Sequence, residues 1–334
     1  MAIGQSIGTA VFVSIGCGLS VGGPGSLLIA FLVYCAFIGM ITDCTAEMMI
    51  YMPVSGGFLH LAGEWVDEAW GFMEGWNFFF YEGLLIPFEI TALTIALGFW
   101  WDNVPPEAIC ILAIFAYGAL NFLSILLFFI LFFFTFIAMV GGNLKHDPYG
   151  FRYWRFGVFY IGSAICVGIV IAYNDPMLLR ILSGSQSGGG TAAASPYVIA
   201  MKNLGISGLP HLVNAPVCTS IFSAGNNLIF AASLSLYGLS MRGHTPKIFT
   251  KCTKRGVPMY ALATTMVFPI LSLLGISKGS AKVLTWLINI ITSGGIINFI
   301  VIGVTYINFY RATESQGFDR RSLPYFGYFQ PYCA

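Results

Sequence analysis

Residues 108–144 read AICILAIFAYGALNFLSILLFFILFFFTFIAMVGGNL, 37 consecutive positions with no Asp, Glu, Lys or Arg. As a helix this run would extend about 55 Å, whereas the hydrocarbon core of a bilayer is roughly 30 Å thick. It is too long for one upright span and slightly short for two spans with a turn, and Asn121 and Ser124 mark where a break would fall. An uncharged stretch of this length places the chain in lipid and leaves the number of crossings to the flanking sequence.

The flanking sequence has the same character. The 334 residues are 57% hydrophobic and 9% charged, with a mean hydropathy of +0.81, against about a quarter charged residues in soluble domains. Further apolar segments long enough to cross occupy 3–19, 26–51, 70–99, 156–173, 210–240, 258–276 and 283–309. In lipid every backbone polar group must be bonded within the protein, so these segments are expected to be helices and the fold an all-α, polytopic membrane helix bundle. A net charge of +1 without a concentrated basic face argues against nucleic-acid binding. The eight cysteines are scattered singly without a CxxC pair, which reads as small apolar residues and predicts neither metal nor cofactor.

Cytoplasmic loops collect Lys and Arg. The clearest basic loop is 242–257, with Arg242, Lys247, Lys251, Lys254 and Arg255, and the tail with Arg311, Arg320 and Arg321 follows two segments later. Both are expected on the cytoplasmic side. With a cytoplasmic N-terminus, parity then requires 108–144 to be one tilted helix, which gives eight spans.

Three features could carry chemistry. Gly4-Gln5-Ser6-Ile7-Gly8-Thr9 lies inside the first segment and is followed by Gly16, Gly18, Gly22, Gly23, Pro24 and Gly25. Small residues allow close helix packing; alternatively, a helix broken in the membrane presents backbone N–H groups that suit a carboxylate. The second feature is a set of carboxylates in apolar sequence, Asp43, Glu47, Glu74, Glu82 and Glu89. Glu82 and Glu89, seven apart, share nearly one helix face and could bind a cation, relay a proton, or bond a neighbouring helix in protonated form; Glu74 and Asp43 read as interfacial. The third is Ser223-Ala224-Gly225-Asn226-Asn227, whose paired amides could line a polar path or join two helices. The four histidines show no HExxH spacing and there is no GxxxxGK[ST], so nothing points to an enzyme.

The chain resembles the fungal amino acid permeases of the amino acid, polyamine and organocation superfamily. The matching residues include Gly23-Pro24-Gly25-Ser26-Leu27, Pro53-Val54-Ser55-Gly56, Gly75-Trp76-Asn77, Pro87-Phe88-Glu89, Ser195-Pro196-Tyr197, Ser223-Ala224-Gly225-Asn226, Arg255-Gly256-Val257-Pro258 and Leu323-Pro324-Tyr325, in the family's order over almost the whole chain. The resemblance implies a twelve-span transporter whose first ten helices form two inverted repeats of five, with discontinuous first and sixth helices around a midplane site. Gly8, Thr9 and Ala10 would then meet the substrate carboxylate, Ala10 and Gln5 departing from the family's usual glycines.

It also implies omissions. Material between Asn121 and Leu126 is missing, which fuses the fourth and fifth helices; the whole sixth helix is missing between Arg155 and Phe156, as are the last two. Nine family helices remain as eight or nine spans, arranged as a permease domain over 1–310 and a cytoplasmic tail over 311–334. The function this implies is proton-coupled transport of an amino acid across the plasma membrane, by a chain whose incomplete site would transport poorly or not at all. Rival readings are a carrier of polyamine or carnitine-like cations, suggested by Glu82 in addition to Glu89, and a non-transporting membrane sensor.

Overall fold

The computed structural model describes residues 15–123 apart from 55, 99 and 101–103, then 151–176, 196–276 apart from 204, 206–207 and 254–255, and 280–319, with 323, 327, 330–332 and 334 beyond. In chain order the helices are α1 (Ile15–Tyr51), α2 (Phe58–Trp65), α3 (Glu68–Leu97), α4 (Pro106–Leu123), α5 (Phe151–Val170), α6 (Pro196–Asn203), α7 (Leu209–Met241), α8 (Met259–Thr265) and α9 (Ser280–Ser315). Tighter 3-10 turns occupy Lys247–Thr250 and Phe268–Ile276. Among the described residues the only β-type pairing is an isolated bridge between Cys252 and Pro258.

By length and apolar composition Gly18–Tyr51, Leu209–Met241 and Asn289–Ser315 can each cross a bilayer, and Pro106–Phe122, Tyr160–Val170 and Met259–Leu274 are shorter apolar helices. Helix α3 has 30 residues but carries Glu68, Glu74, Glu82 and Glu89 along its length. The second half of the 108–144 run lies outside the described residues, and so does the junction on which its proposed fusion depends.

The gap expected between the segments 3–19 and 26–51 falls inside α1, which is two helical stretches parted at Gly23, where φ is 71° and ψ 173°. That backbone region is open essentially to glycine alone. Pro24 follows, with no N–H to continue the helical ladder. The chain therefore kinks at Gly23-Pro24, and a second helical stretch starts there.

The described chain forms two compact units. The first comprises Met1–Val33, Leu85–Phe230 and Met266–Leu284, the second Tyr34–Leu84, Ala231–Thr265 and Thr285–Ala334. In the first, Ile15, Leu19 and Leu27 of α1 pack on Ala164 and Val167 of α5, with Ile171 and Ile199 closing the cluster. Pro24 leans on Gly168, where an added Cβ would stand 3.0 Å from the ring. In the second, Ile41, Cys44 and Met48 of α1 meet Leu61 of α2 and Ile302, Tyr306 and Phe309 of α9. At its centre the wholly buried Glu47 accepts two hydrogen bonds on Oε2, from the Tyr306 hydroxyl at 2.8 Å and the Gly327 backbone N–H at 3.1 Å. Helix contacts in lipid gain from close approach more than from apolar burial. Accordingly, α2 crosses α3 where a Cβ on Gly71 would come within 2.8 Å of the Gly63 Cα.

Helices α7 and α9 end in the same way. Gly243 N–H donates to Ser240 O and His244 N–H to Leu239 O, while Gly317 N–H donates to Glu314 O and Phe318 N–H to Thr313 O. Each glycine has positive φ, 83° and 66°. This is the Schellman pattern, in which a left-handed residue just past the helix bonds the last carbonyls back into the turn.

Candidate functional site

Helix α3 supplies the carboxylates. The boundary between the units falls at Leu84–Leu85, so Glu82 belongs to the second unit and Glu89 to the first. Both are buried, at 4% and 8% exposure, although a charged group is costly to remove from water.

In the first unit Glu89 lies beside a polar group drawn from α4 and α7. Gly225 of α7 has no side chain because Tyr117 Oη occupies the position a Cβ would take, with the Glu89 Cβ 3.5 Å from the same point. Tyr117 is fully buried, its ring stacked on Phe222 at 4.7 Å between centroids. Its hydroxyl has no hydrogen-bond partner among the described residues. One turn on, the Asn121 amide donates to Tyr117 O at 2.9 Å and to Asn226 Oδ1 at 2.7 Å. Asn226 thus joins α7 to α4. Asn227, about 100° further round the helix, is half-buried.

In the second unit Asn77 of α3 spends both amide hydrogens on α9, on Gly294 O at 3.1 Å and Asn298 Oδ1 at 2.6 Å. An amide NH2 has two hydrogens to give. The nearby Glu74 is wholly buried beside the Asn77 amide, and neither of its oxygens makes a hydrogen bond of good geometry. Asp43 is half-buried. Glu82 Oε2 is also buried without a partner.

The other sequence candidates, Gly4, Gln5, Ser6, Ile7, Gly8, Thr9 and Ala10, lie outside the described residues. Tyr117 and Asn298 were not singled out by sequence, and Asn121 was noted only as a helix break. Their signal was present nonetheless as polar side chains inside apolar helical runs. The described histidines are dispersed: His60 pairs with Glu64 at 3.4 Å, His244 with Glu68 at 3.5 Å, and His211 accepts from Trp100 Nε1. Among the described residues no three His, Cys, Asp or Glu side chains gather as a metal site would need.

A polar cluster enclosed by long apolar helices suits a membrane carrier, and comparison with known proteins gives the family. The amino acid permease family model matches residues 1–142 and 149–334. The chain belongs to the amino acid permease family. Members are transporters, so the protein is a membrane transporter in kind and not an enzyme. This permease is 37% identical over 414 positions to a general amino acid permease of Saccharomyces cerevisiae, covering 100% of the chain and 69% of that relative. It is 32% identical over 409 positions to a lysine/arginine permease of Candida albicans, covering 100% of the chain and 70% of the relative. A dicarboxylic amino acid permease of Saccharomyces cerevisiae is 31% identical over 418 positions, with 100% and 67% covered. An alignment of 414 positions against 334 residues means that the relative has internal residues with no counterpart in this permease.

Proposed function

We propose that this permease is a secondary carrier of the five-plus-five inverted-repeat type, eight or nine spans of which are present, that takes amino acids at the plasma membrane with protons as the coupled ion. The observation that carries the reading is Glu89, buried beside the unspent hydroxyl of Tyr117. A buried carboxylate next to a hydroxyl offers a place for an ammonium group or an exchangeable proton, and such groups in membrane helices mark substrate and ion paths. The segment Gly4 to Ala10, with a helix start within it, would supply the backbone donors for the substrate carboxylate.

The internal residues present in the relatives and absent here support a second element of the reading: the counterpart of the sixth helix is missing, and transport by this chain is therefore weak. Uptake of labelled amino acids into proteoliposomes with an imposed proton gradient tests it. The chain is expected to accumulate little, and a chimera with the relative's missing stretch restored to accumulate more, in a gradient-dependent way. Uptake by the chain equal to that of the full-length relative would overturn the reading.

Glu82, buried with an unpartnered oxygen on the same helix, favours one rival, a carrier of cations such as polyamines. Spermidine that competes more strongly than neutral amino acids would select it. Saturable ligand binding with no accumulation by either chain or chimera would select a sensor.

A further inference from the structure

Helix α7 ends at Met241 as a candidate membrane span, so the chain that follows emerges at headgroup depth. Residues 242–257 contain Arg242, Lys247, Lys251, Lys254 and Arg255 and no acidic residue. The described residues of the loop are tied to one another by hydrogen bonds. The Ser240 hydroxyl donates to Pro246 O at 3.0 Å and that of Thr250 to Lys247 O at 2.7 Å, closing the 3-10 turn. Thr253 N–H donates to Val257 O at 2.8 Å and Gly256 N–H to Thr253 O at 2.9 Å, and Cys252 bridges to Pro258.

The side chains divide into two groups. Arg242 is committed inward, its guanidinium donating to Leu59 O at 3.0 Å, and burial pulls its pKa down. His244 pairs with Glu68. Lys247 and Lys251 point outward and are exposed. Beside them stand Ile248 at 44% exposure, Met259 at 44% and Tyr260 at 46%. The Cys252–Pro258 bridge sets Lys251 and Met259, the next residue on each side of it, close to one another. Cations with apolar and aromatic side chains among them match a headgroup layer lying on acyl chains.

We propose that this loop is a docking surface for the anionic phospholipid headgroups of the membrane the permease spans, with Lys247 and Lys251 as the contacts and Ile248, Met259 and Tyr260 entering the acyl boundary. Since the backbone around Lys247 and Lys251 is already fixed by hydrogen bonds, engagement there costs little conformational entropy. Both lysines are exposed and have exposed apolar side chains beside them in the chain, which suits a lipid surface and not free phosphate.

Cys252, exposed in the middle of the loop, is a built-in reporter. The purified chain is placed in nanodiscs of phosphatidylcholine alone or mixed with phosphatidylserine, and its reaction with N-ethylmaleimide is followed at the Cys252 peptide by mass spectrometry. Phosphatidylserine is expected to slow labelling by about fivefold for each lysine engaged, and high salt to remove the effect. The K247Q/K251Q variant, checked for monodisperse elution, is expected to label at one rate in both discs. Equal rates for the unmodified chain would overturn the proposal. A slowing that persists in K247Q/K251Q would overturn it too, since the membrane's charge would then act on the thiol without the lysines. Protection by inorganic phosphate in phosphatidylcholine discs would reassign the loop to a soluble anion and likewise refute it.

Discussion

Replacing Glu47 with alanine tests the packing of the second unit most directly. One oxygen of Glu47 accepts from both the Tyr306 hydroxyl and the Gly327 N–H, and both Glu47 and Tyr306 are fully buried. E47A removes the acceptor that two buried donors share, at about 1–3 kcal/mol each, and opens a small void in addition. The expected loss is about 3–6 kcal/mol. Y306F removes a single donor while the carboxylate keeps Gly327, and should cost about 1 kcal/mol. In E47A/Y306F the ring carries no orphaned hydroxyl, so the double variant should fall short of the sum by about 1–3 kcal/mol. The assay is the temperature midpoint of the detergent-solubilised chain by fluorescence-detected size exclusion. At about 2–4 °C per kcal/mol for larger domains, E47A should lower the midpoint by roughly 6–24 °C. A midpoint within about 2 °C of the unmodified protein, or strict additivity in the cycle, would refute the reasoning, because either result means the two bonds do not share one acceptor in the membrane-embedded fold.

Other outcomes follow from the same geometry. G71A should unfold at markedly lower temperature, since its Cβ meets the backbone of Gly63 at 2.8 Å; G162A, with nothing within 4 Å, should be neutral or stabilise by up to about 1 kcal/mol, and a reversed order in thermal midpoints would count against the described helix crossing. Y117F removes a hydroxyl that is buried without a partner, so it should stabilise by about 1 kcal/mol yet weaken amino acid binding measured by scintillation proximity; unchanged binding would exclude that hydroxyl from the site. N298L should destabilise by about 1–3 kcal/mol by orphaning an Asn77 N–H, while N77L/N298L should recover most of the loss, as read by the same unfolding assay.

Membrane character was legible because it follows from composition and run length alone. Helices expected at 70–99, 210–240 and 283–309 are found as α3, α7 and α9 with ends shifted by a few residues, save that α9 runs on to Ser315. That the break between the first two segments is a one-residue kink was not legible, because a glycine in a break and a glycine in a packed helix look alike until the φ of Gly23 is known. In the site, Glu82 and Glu89 stand out in any apolar helix. Tyr117, Asn121 and Asn298 do not, since a single polar residue in a long apolar run gains its meaning from the facing helix. The pairs Asn77–Asn298 and Asn121–Asn226 lie 221 and 105 residues apart in the chain, beyond the reach of any local pattern.

The paired glycine ends of α7 and α9 have a consequence for the lipid. A helix whose last carbonyls are bonded back by Gly243 or Gly317 cannot fray or lengthen by a turn to suit its surroundings. Its hydrophobic length is a fixed ruler, written in sequence. A thinner bilayer must therefore be met by tilt or by local thickening of the lipid, at fractions of a kcal/mol per Å of mismatch. The two glycines thereby make the position of the headgroup plane, and of whatever the protein presents there, a property of the protein and not of the membrane.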